Sequence, residues 1–250
     1  MFDTPGVFIR EIPSGSRPIA GVATSNTAFV GTFARGPVNQ ATRVTSFGEF
    51  ERIFGGLHAL SETSYAIRSY FLNGGSVAFV VRVVAGAPAI ADCTAGGDVD
   101  FDATSEGAWA NNVRIGIAHS GAGTSYTILV REYAADLTTI VREEAFIDVS
   151  ITAGSPRFVE DVIGESSELI EATQNNAALP APTQINGADA TSLDDLLEGV
   201  EGDFTEMGGG TAGADGTMEG DAGWVGVASA AIRGNEGATP PTGILSLIHI

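Results

Sequence analysis

Ser76-Val77-Ala78-Phe79-Val80-Val81-Arg82-Val83-Val84 is the densest apolar stretch of the chain, and the fold turns on how it is read. Val77, Phe79, Val81 and Val83 alternate with Ala78, Val80 and Val84, so both faces are apolar and the stretch reads as a central strand. Arg82 interrupts it, leaving the run well short of the ~18 residues that cross a bilayer. Upstream, Thr27 to Ala34 is also apolar on both faces and ends at Arg35-Gly36-Pro37, which predicts a second buried strand. Between them, Ser46 and Glu49 have capping-box spacing ahead of Phe50, Ile53 and Phe54, and Gly55-Gly56 is the stop. A second helix places Ala66, Ile67, Tyr70 and Phe71 on one face and ends at Asn73-Gly74-Gly75. Strand, helix, helix, strand predicts an α/β layer.

Working outward, the pattern changes at about residue 96. Val113 to Ile117, Tyr126 to Tyr133 and Thr138 to Ile147 alternate apolar and polar residues with short polar connections, as in an antiparallel β-rich module. Pro156 to Ile163 reads as a helical turn or two and Glu168 to Ala172 as a further strand. Residues 173–223 are rich in Ala, Gly, Asp and Glu with few large apolar side chains, and are expected to form a long surface excursion or to lack order. Trp224 to Ile232 turns apolar again. Near the start, Pro5, Pro13 and Pro18 flank Val7, Phe8, Ile9, Arg10, Glu11 and Ile12, a short extended stretch that mixes apolar and charged residues on both faces and reads as an arm. The expected fold class is α/β (α+β). Its expected parts are an N-terminal arm at 1–20, the first part of an α/β core at 21–86, an inserted, outward-facing, acidic β-rich module at 96–223, and the start of the second part of the core at 224–250.

Charge divides the chain. The 31 acidic residues outnumber 12 cations for a net −19, and every cation is arginine. Without lysine there is no P-loop lysine and no Schiff-base lysine, and the net charge disfavours a nucleic-acid-binding surface. Residues 1–86 carry +2 and residues 87–250 carry −21, so the two parts face different surroundings. The arginines of the first part are spaced singly along different elements, which favours salt bridges over a polyanion patch. The single Cys93 excludes an internal disulfide and any multi-thiolate metal site and suits a reducing compartment, and the N-terminus lacks the features of a secretory signal.

Catalytic patterns are missing from the sequence. His58, His119 and His249 have no partner spacing, and there is neither a G-x-S-x-G elbow nor H-E-x-x-H. Gly208 to Gly213 matches G-x-G-x-x-G literally but has no buried strand before it and no helix after it, so a flexible loop is expected. Asp215, Glu219 and Asp221 fit no EF-hand spacing and are expected to be solvated. The expectation is no enzyme, no cofactor and no metal site.

Three segments in order resemble the sheath protein of contractile phage tails and related phage-tail-like injection particles. The first runs from Pro5-Gly6-Val7-Phe8-Ile9 and Ser14 to Val22 into Ala28-Phe29-Val30-Gly31 and Arg35-Gly36-Pro37-Val38. The second comprises Val44-Thr45-Ser46 to Gly56, Phe71 to Gly75 and Val80-Val81-Arg82-Val83; the third is Gly107-Ala108-Trp109-Ala110-Asn111-Asn112-Val113-Arg114-Ile115. The resemblance implies a structural subunit without catalysis. Such a subunit polymerises as stacked rings around an inner tail tube protein and shortens to drive that tube through a target envelope. Its implied partners are neighbouring sheath subunits and the inner tube protein, with no nucleic acid and no membrane insertion. Its implied location is a virion tail sheath or phage-tail-like particle assembled in the host cytoplasm. Val7 to Ile12 would be an arm that adds a strand to a neighbour's sheet.

The apolar end, Ile244 to Ile250, departs from the family pattern. The C-terminal part is therefore expected to be missing, leaving apolar surface exposed around Val77 to Val84. The β-rich acidic middle also suits an adhesin or glycan-binding module, a reading that leaves residues 5–86 unexplained. A hydrolase built on the scattered acids is a further alternative, but no acid pair has a recognisable spacing.

Overall fold

The computed structural model describes residues 26–216 apart from 85, 120 and 122, and within them the chain is an α+β protein. β1 (Thr27–Gly31), β2 (Ala41–Val44) and β3 (Ala78–Arg82) form a sheet in the order β1-β3-β2, with β1 parallel and β2 antiparallel to β3. A parallel return needs a long crossover. Here it carries β2, α1 (Phe47–Phe54) and α2 (Glu62–Leu72).

Ser46 caps α1 by accepting from Glu49 N at 3.1 Å. The Glu49 carboxylate turns back one residue further than in a capping box, accepting from Thr45 N and Thr45 Oγ1, both at 2.8 Å. Gly55 ends the helix at φ 88°, a left-handed conformation that glycine adopts at little cost. Phe33, Phe50 and Phe54 then pack ring against ring at 5.2 to 5.6 Å between centroids, on the sheet face that also presents Ala78 and Val80.

β3 is the central strand of its sheet, and it buries all its residues except the half-buried Phe79. The exposed apolar surface expected around Val77 to Val84 is therefore corrected: Val81 and Val83 are fully buried, with Val30 and Ala41 packed on them. The stretch from Thr27 to Ala34 is corrected too. β1 stops at Gly31 and lies, among the described residues, at a sheet edge with Ala28 exposed, while Phe33 reaches the core from beyond the strand. On α2, Ala66 is exposed, and the inward face is Ser64, Ile67, Tyr70 and Phe71, at the three- and four-residue spacing of one helical face.

The β-rich part begins earlier than the change in pattern suggested. β4 (Asp92–Ala95) and β5 (Val99–Ala103), neither anticipated from the sequence, pair antiparallel and join β9 (Ile170–Gln174) in the order β4-β5-β9. β6 (Val113–Ala118), β7 (Ser125–Tyr133) and β8 (Ile140–Ser150) form a second sheet, as read from the sequence. Their inward residues, including Val113, Ile115, Ile117, Ile128 and Val130, face Val99 and Phe101 of the first sheet and Val159 and Ile163 of α3 (Val159–Ser166).

Residues 173–216 are ordered rather than a loose excursion. β10 (Gln184–Ile185) and β11 (Ala188–Asp189) make a hairpin across Asn186-Gly187, α4 (Leu193–Leu197) follows with a Ser192–Asp195 capping box, and β12 (Thr205–Glu206) pairs with β6. These elements cover the second face of the β6-β7-β8 sheet, burying Ile185, Leu196 and Phe204 against Ala118 and Leu129. Few large apolar residues suffice because the approach is close: a Cβ on Gly116 would lie 2.6 Å from the Phe204 ring. Arginine does the rest. Arg131 donates to Leu197 O and Gly199 O and pairs with Glu143, and its cross-strand neighbour Arg114 pairs with Glu201. Gly208 to Gly213 is likewise no flexible loop, since Gly210 N donates to Asp92 O and Gly213 N to Asn111 Oδ1.

Candidate interaction site

Val7, Phe8, Ile9, Arg10, Glu11 and Ile12 lie outside the described residues, as do His249, Glu219, Asp221 and Trp224 to Ile232. Asp215 Oδ1 accepts from Ala108 N at 2.7 Å, at the start of the 3₁₀ turn Ala108–Asn112, so it holds a turn in place. His58 and His119 sit in separate local turns, accepting from Leu60 N and Gly121 N. Cys93 is buried and its thiol is pushed up to about 12, chiefly by burial, which keeps it protonated and unreactive. Among the described residues no three His, Cys, Asp or Glu side chains are grouped to hold a metal ion, and no helix is long and apolar enough to cross a membrane.

What the fold does assemble is a seam between the α/β sheet and the β-rich part, built from residues far apart in sequence. Arg82, on the same strand face as Ala78 and Val80, is fully buried and has no carboxylate partner among the described residues. Its guanidinium donates instead to Gly36 O at 2.9 Å, Glu106 O at 2.8 Å and Ala34 O at 3.5 Å, tying β3 to both of the chain segments it touches. Burial lowers its pKa from the usual arginine value, opposed by Glu106 and Asp215, but arginine remains charged throughout the physiological range. Gly107 makes the approach possible, because at φ 143° a Cβ there would lie 2.5 Å from Ala34 O.

A chain of alternating charges runs beside Arg82. Arg35 Nη1 pairs with Glu132 at 3.1 Å, Glu132 meets Arg142 at 3.7 Å, Arg142 pairs with Glu168 at 3.3 Å, and Glu168 pairs with Arg52. Arg35 and Arg52 come from the α/β sheet region, the other three from the β-rich part. The expectation of salt bridges for the arginines of the first part is met within one chain at Arg35 and Arg52, whereas Arg82 finds carbonyl oxygens instead. The Arg35–Glu132 link is nearly buried, at 11% and 12% side-chain exposure, whereas Arg52–Glu168 is half in water and contributes little by itself. Arg35 also lies 5.6 Å from the Trp109 ring centroid.

The sequence marks Arg82 as a break in an apolar run and as part of the second resembling segment, with no role assigned to it. Its position supplied the missing signal: an arginine on the inward face of a central strand must find acceptors in the interior. Glu132 and Arg142 face each other across the β7–β8 hairpin, but their links to Arg35 and Glu168, and that of Glu168 to Arg52, span 26 to 116 positions and left no such signal.

On the far face of the β4-β5-β9 sheet, Asp92, Asp102 and Glu171 stand directly opposite one another across three strands. The Asp102 pKa is raised from its ordinary aspartate value, by partial desolvation first and then by Asp92 and Asp100.

No protein-family model matches the chain, and no curated protein does. Among solved structures, a sheath tail protein from Desulfitobacterium hafniense superposes with a TM-score of 0.45 at 16% identity, over 77% of this chain and 41% of that one. A sheath tail protein from Listeria innocua gives 0.44 at 13% identity, over 70% of this chain and 36% of that one. The chain spans less than half the length of either structure.

Proposed function

We propose that the chain is a non-enzymatic structural subunit of the contractile sheath of a phage tail or phage-tail-like injection particle. The observation that carries this reading is the convergence of the sequence segments that resemble the sheath family. Arg35-Gly36 from the first, Arg82 from the second and Gly107 with Trp109 from the third meet at one seam. Residues that recur together in a family because they weld two parts of a subunit should meet in this way, whereas chance matches to small-residue motifs have no reason to.

In this reading the subunit polymerises around an inner tail tube protein, and shortening of the polymer drives that tube through a target envelope. Val7 to Ile12 is an arm that pairs with a neighbouring subunit's sheet, residues 21–86 and 224–250 belong to a tube-facing core, and 96–223 project outward. The partners are neighbouring subunits and the tube protein, without nucleic acid or membrane insertion, and the product resides in a virion tail or particle assembled in the host cytoplasm. A subunit that changes lattice as a rigid body has to transmit load between core and projection, and the near-buried Arg35–Glu132 pair with Arg82 suits that demand.

Electron microscopy of the purified full-length product of the gene tests the reading. Helical tubes are expected, and discrete particles would overturn it. Deleting residues 1–20 from that product should abolish tubes while leaving its circular dichroism unchanged; tubes at the wild-type level would remove the arm.

A further inference from the structure

Between the two parts, next to the ion chain, lies a cleft of about 280 Å³ with Arg35, Arg52, Ser105, Ser167 and Glu168 in its wall. Nothing in the polymer reading uses it. Its hydrogen-bond inventory is lopsided. Arg35 is 9% exposed, and its buried Nε–H has no acceptor among the described residues; Nη1 is committed to Glu132 and Nη2 to Glu51 O at 3.4 Å. Ser105 is 5% exposed, and its Oγ accepts from Gly36 N at 3.0 Å, which leaves the hydroxyl hydrogen to be donated. Arg52 uses Nη1 on Glu168, and its side chain is half exposed in the cleft wall.

The acceptors nearby are already taken. Glu168 holds Arg52 with one oxygen and Arg142 with the other, and Glu144 behind the rim accepts from Ser167 Oγ at 2.7 Å and Glu168 N at 3.1 Å. Three guanidinium groups and three carboxylates make the surroundings neutral in a chain of net charge −19. An incoming anion therefore meets surplus donors without the repulsion found elsewhere on this protein. Buried donors without acceptors are costly, and a planar or tetrahedral oxyanion is the ligand that arginine donors match.

We infer that this cleft is a binding site for a small oxyanion of the carboxylate or phosphate class, held by Arg35, Arg52 and Ser105. The oxyanion can be free in solution or can be the side-chain carboxylate of a second copy of this acidic chain.

The test follows the arginine Nε–H resonances of the isotope-labelled chain by NMR while inorganic phosphate is added at constant ionic strength. Saturable shifts of Arg35 and Arg52, with Arg157 as an unaffected reference, are expected, and Arg52→Gln should weaken phosphate binding at least five-fold. The same two resonances moving with protein concentration in phosphate-free buffer, and reverting when phosphate is added, would support the site with a second copy as the source. Shifts that are linear, or equal at Arg157, or unchanged in Arg52→Gln, would overturn the site. So would the absence of any shift in both titrations, and the wild-type spectra decide this even if the variant folds poorly.

Discussion

Residues 26–84 bury seven side chains in their main cluster, on one face of a three-stranded sheet, whereas residues 91–207 bury twenty between two sheets and cover the second sheet's far face as well. The smaller region leans on its neighbour. Its sheet is anchored through Arg82 and Arg35 to carbonyl and carboxylate oxygens of the β-rich part, while most contacts of that part are internal. Two regions joined by a polar seam over unequal cores should differ in how much each loses when the other is damaged.

Core truncation gives the largest expected effect. Phe50→Ala and Phe101→Ala should each cost about 3–5 kcal/mol, since both rings are fully buried. Hydrogen exchange should show Phe50→Ala opening β1 to β3 while β6 to β8 stay protected, and Phe101→Ala opening both regions. Equal loss of protection everywhere in Phe50→Ala would make the two regions one cooperative unit.

Next comes the seam itself. Arg82→Met keeps the volume but leaves Gly36 O and Glu106 O without their donor, at an expected cost of about 2 kcal/mol or more in denaturant unfolding. Protease cleavage between residues 83 and 91 should rise in parallel. An unchanged unfolding midpoint would mean that water replaces the guanidinium and that the seam does not depend on it. Glu132→Gln, which removes a nearly buried charge shared by Arg35 and Arg142, should cost about 1 kcal/mol, and this loss should persist at high salt because the site is poorly screened. Loss of the difference at high salt would class the pair with ordinary surface bridges.

The smallest effect is expected on the acidic row of the β-rich part. Because the folded state holds the Asp102 pKa above its unfolded value, the folded form favours the protonated acid. Its contribution is therefore fully present below the ordinary aspartate range and is lost as pH rises from there through the raised folded value. Asp102→Asn should stabilise the protein at neutral pH by roughly 0.2–1 kcal/mol, toward the lower figure because the group is exposed, and should flatten the pH dependence just above that range. Asp136 has the opposite sign. Backbone N–H groups of Thr139 and Thr138 lower its pKa, so its support of the β7–β8 turn should fade as pH falls below the ordinary aspartate range. A thermal-melt series across pH on Asp102→Asn and Asp136→Asn separates these trends, and a destabilised Asp102→Asn would show that the carboxylate row is favourable.

Much of the local structure was legible because it is encoded locally. Ser46, Gly55 and the phenylalanines between them specify a capped amphipathic helix within ten residues, and the alternation of Val113 to Ala118 and Ser125 to Tyr133 specifies paired strands. Val99-Asp100-Phe101-Asp102-Ala103 alternates as strictly but is short and acidic, and its strand status depends on partners at 92–95 and 170–174. Residues 173–216 misled for a related reason. Small residues signal a loop when read alone, whereas here Gly116 and two arginines on the opposing sheet let small residues and bare carbonyls pack.

The sequence by itself determined the helix caps, the central strand, the antiparallel β-rich middle, the absence of lysine chemistry and the charge partition, because each depends on residue identity at short spacing. The tertiary structure alone decided which charges meet. The Glu168 carboxylate gains Arg52 only because chain segments that far apart are folded within hydrogen-bond reach, and no spacing rule along the chain records that distance.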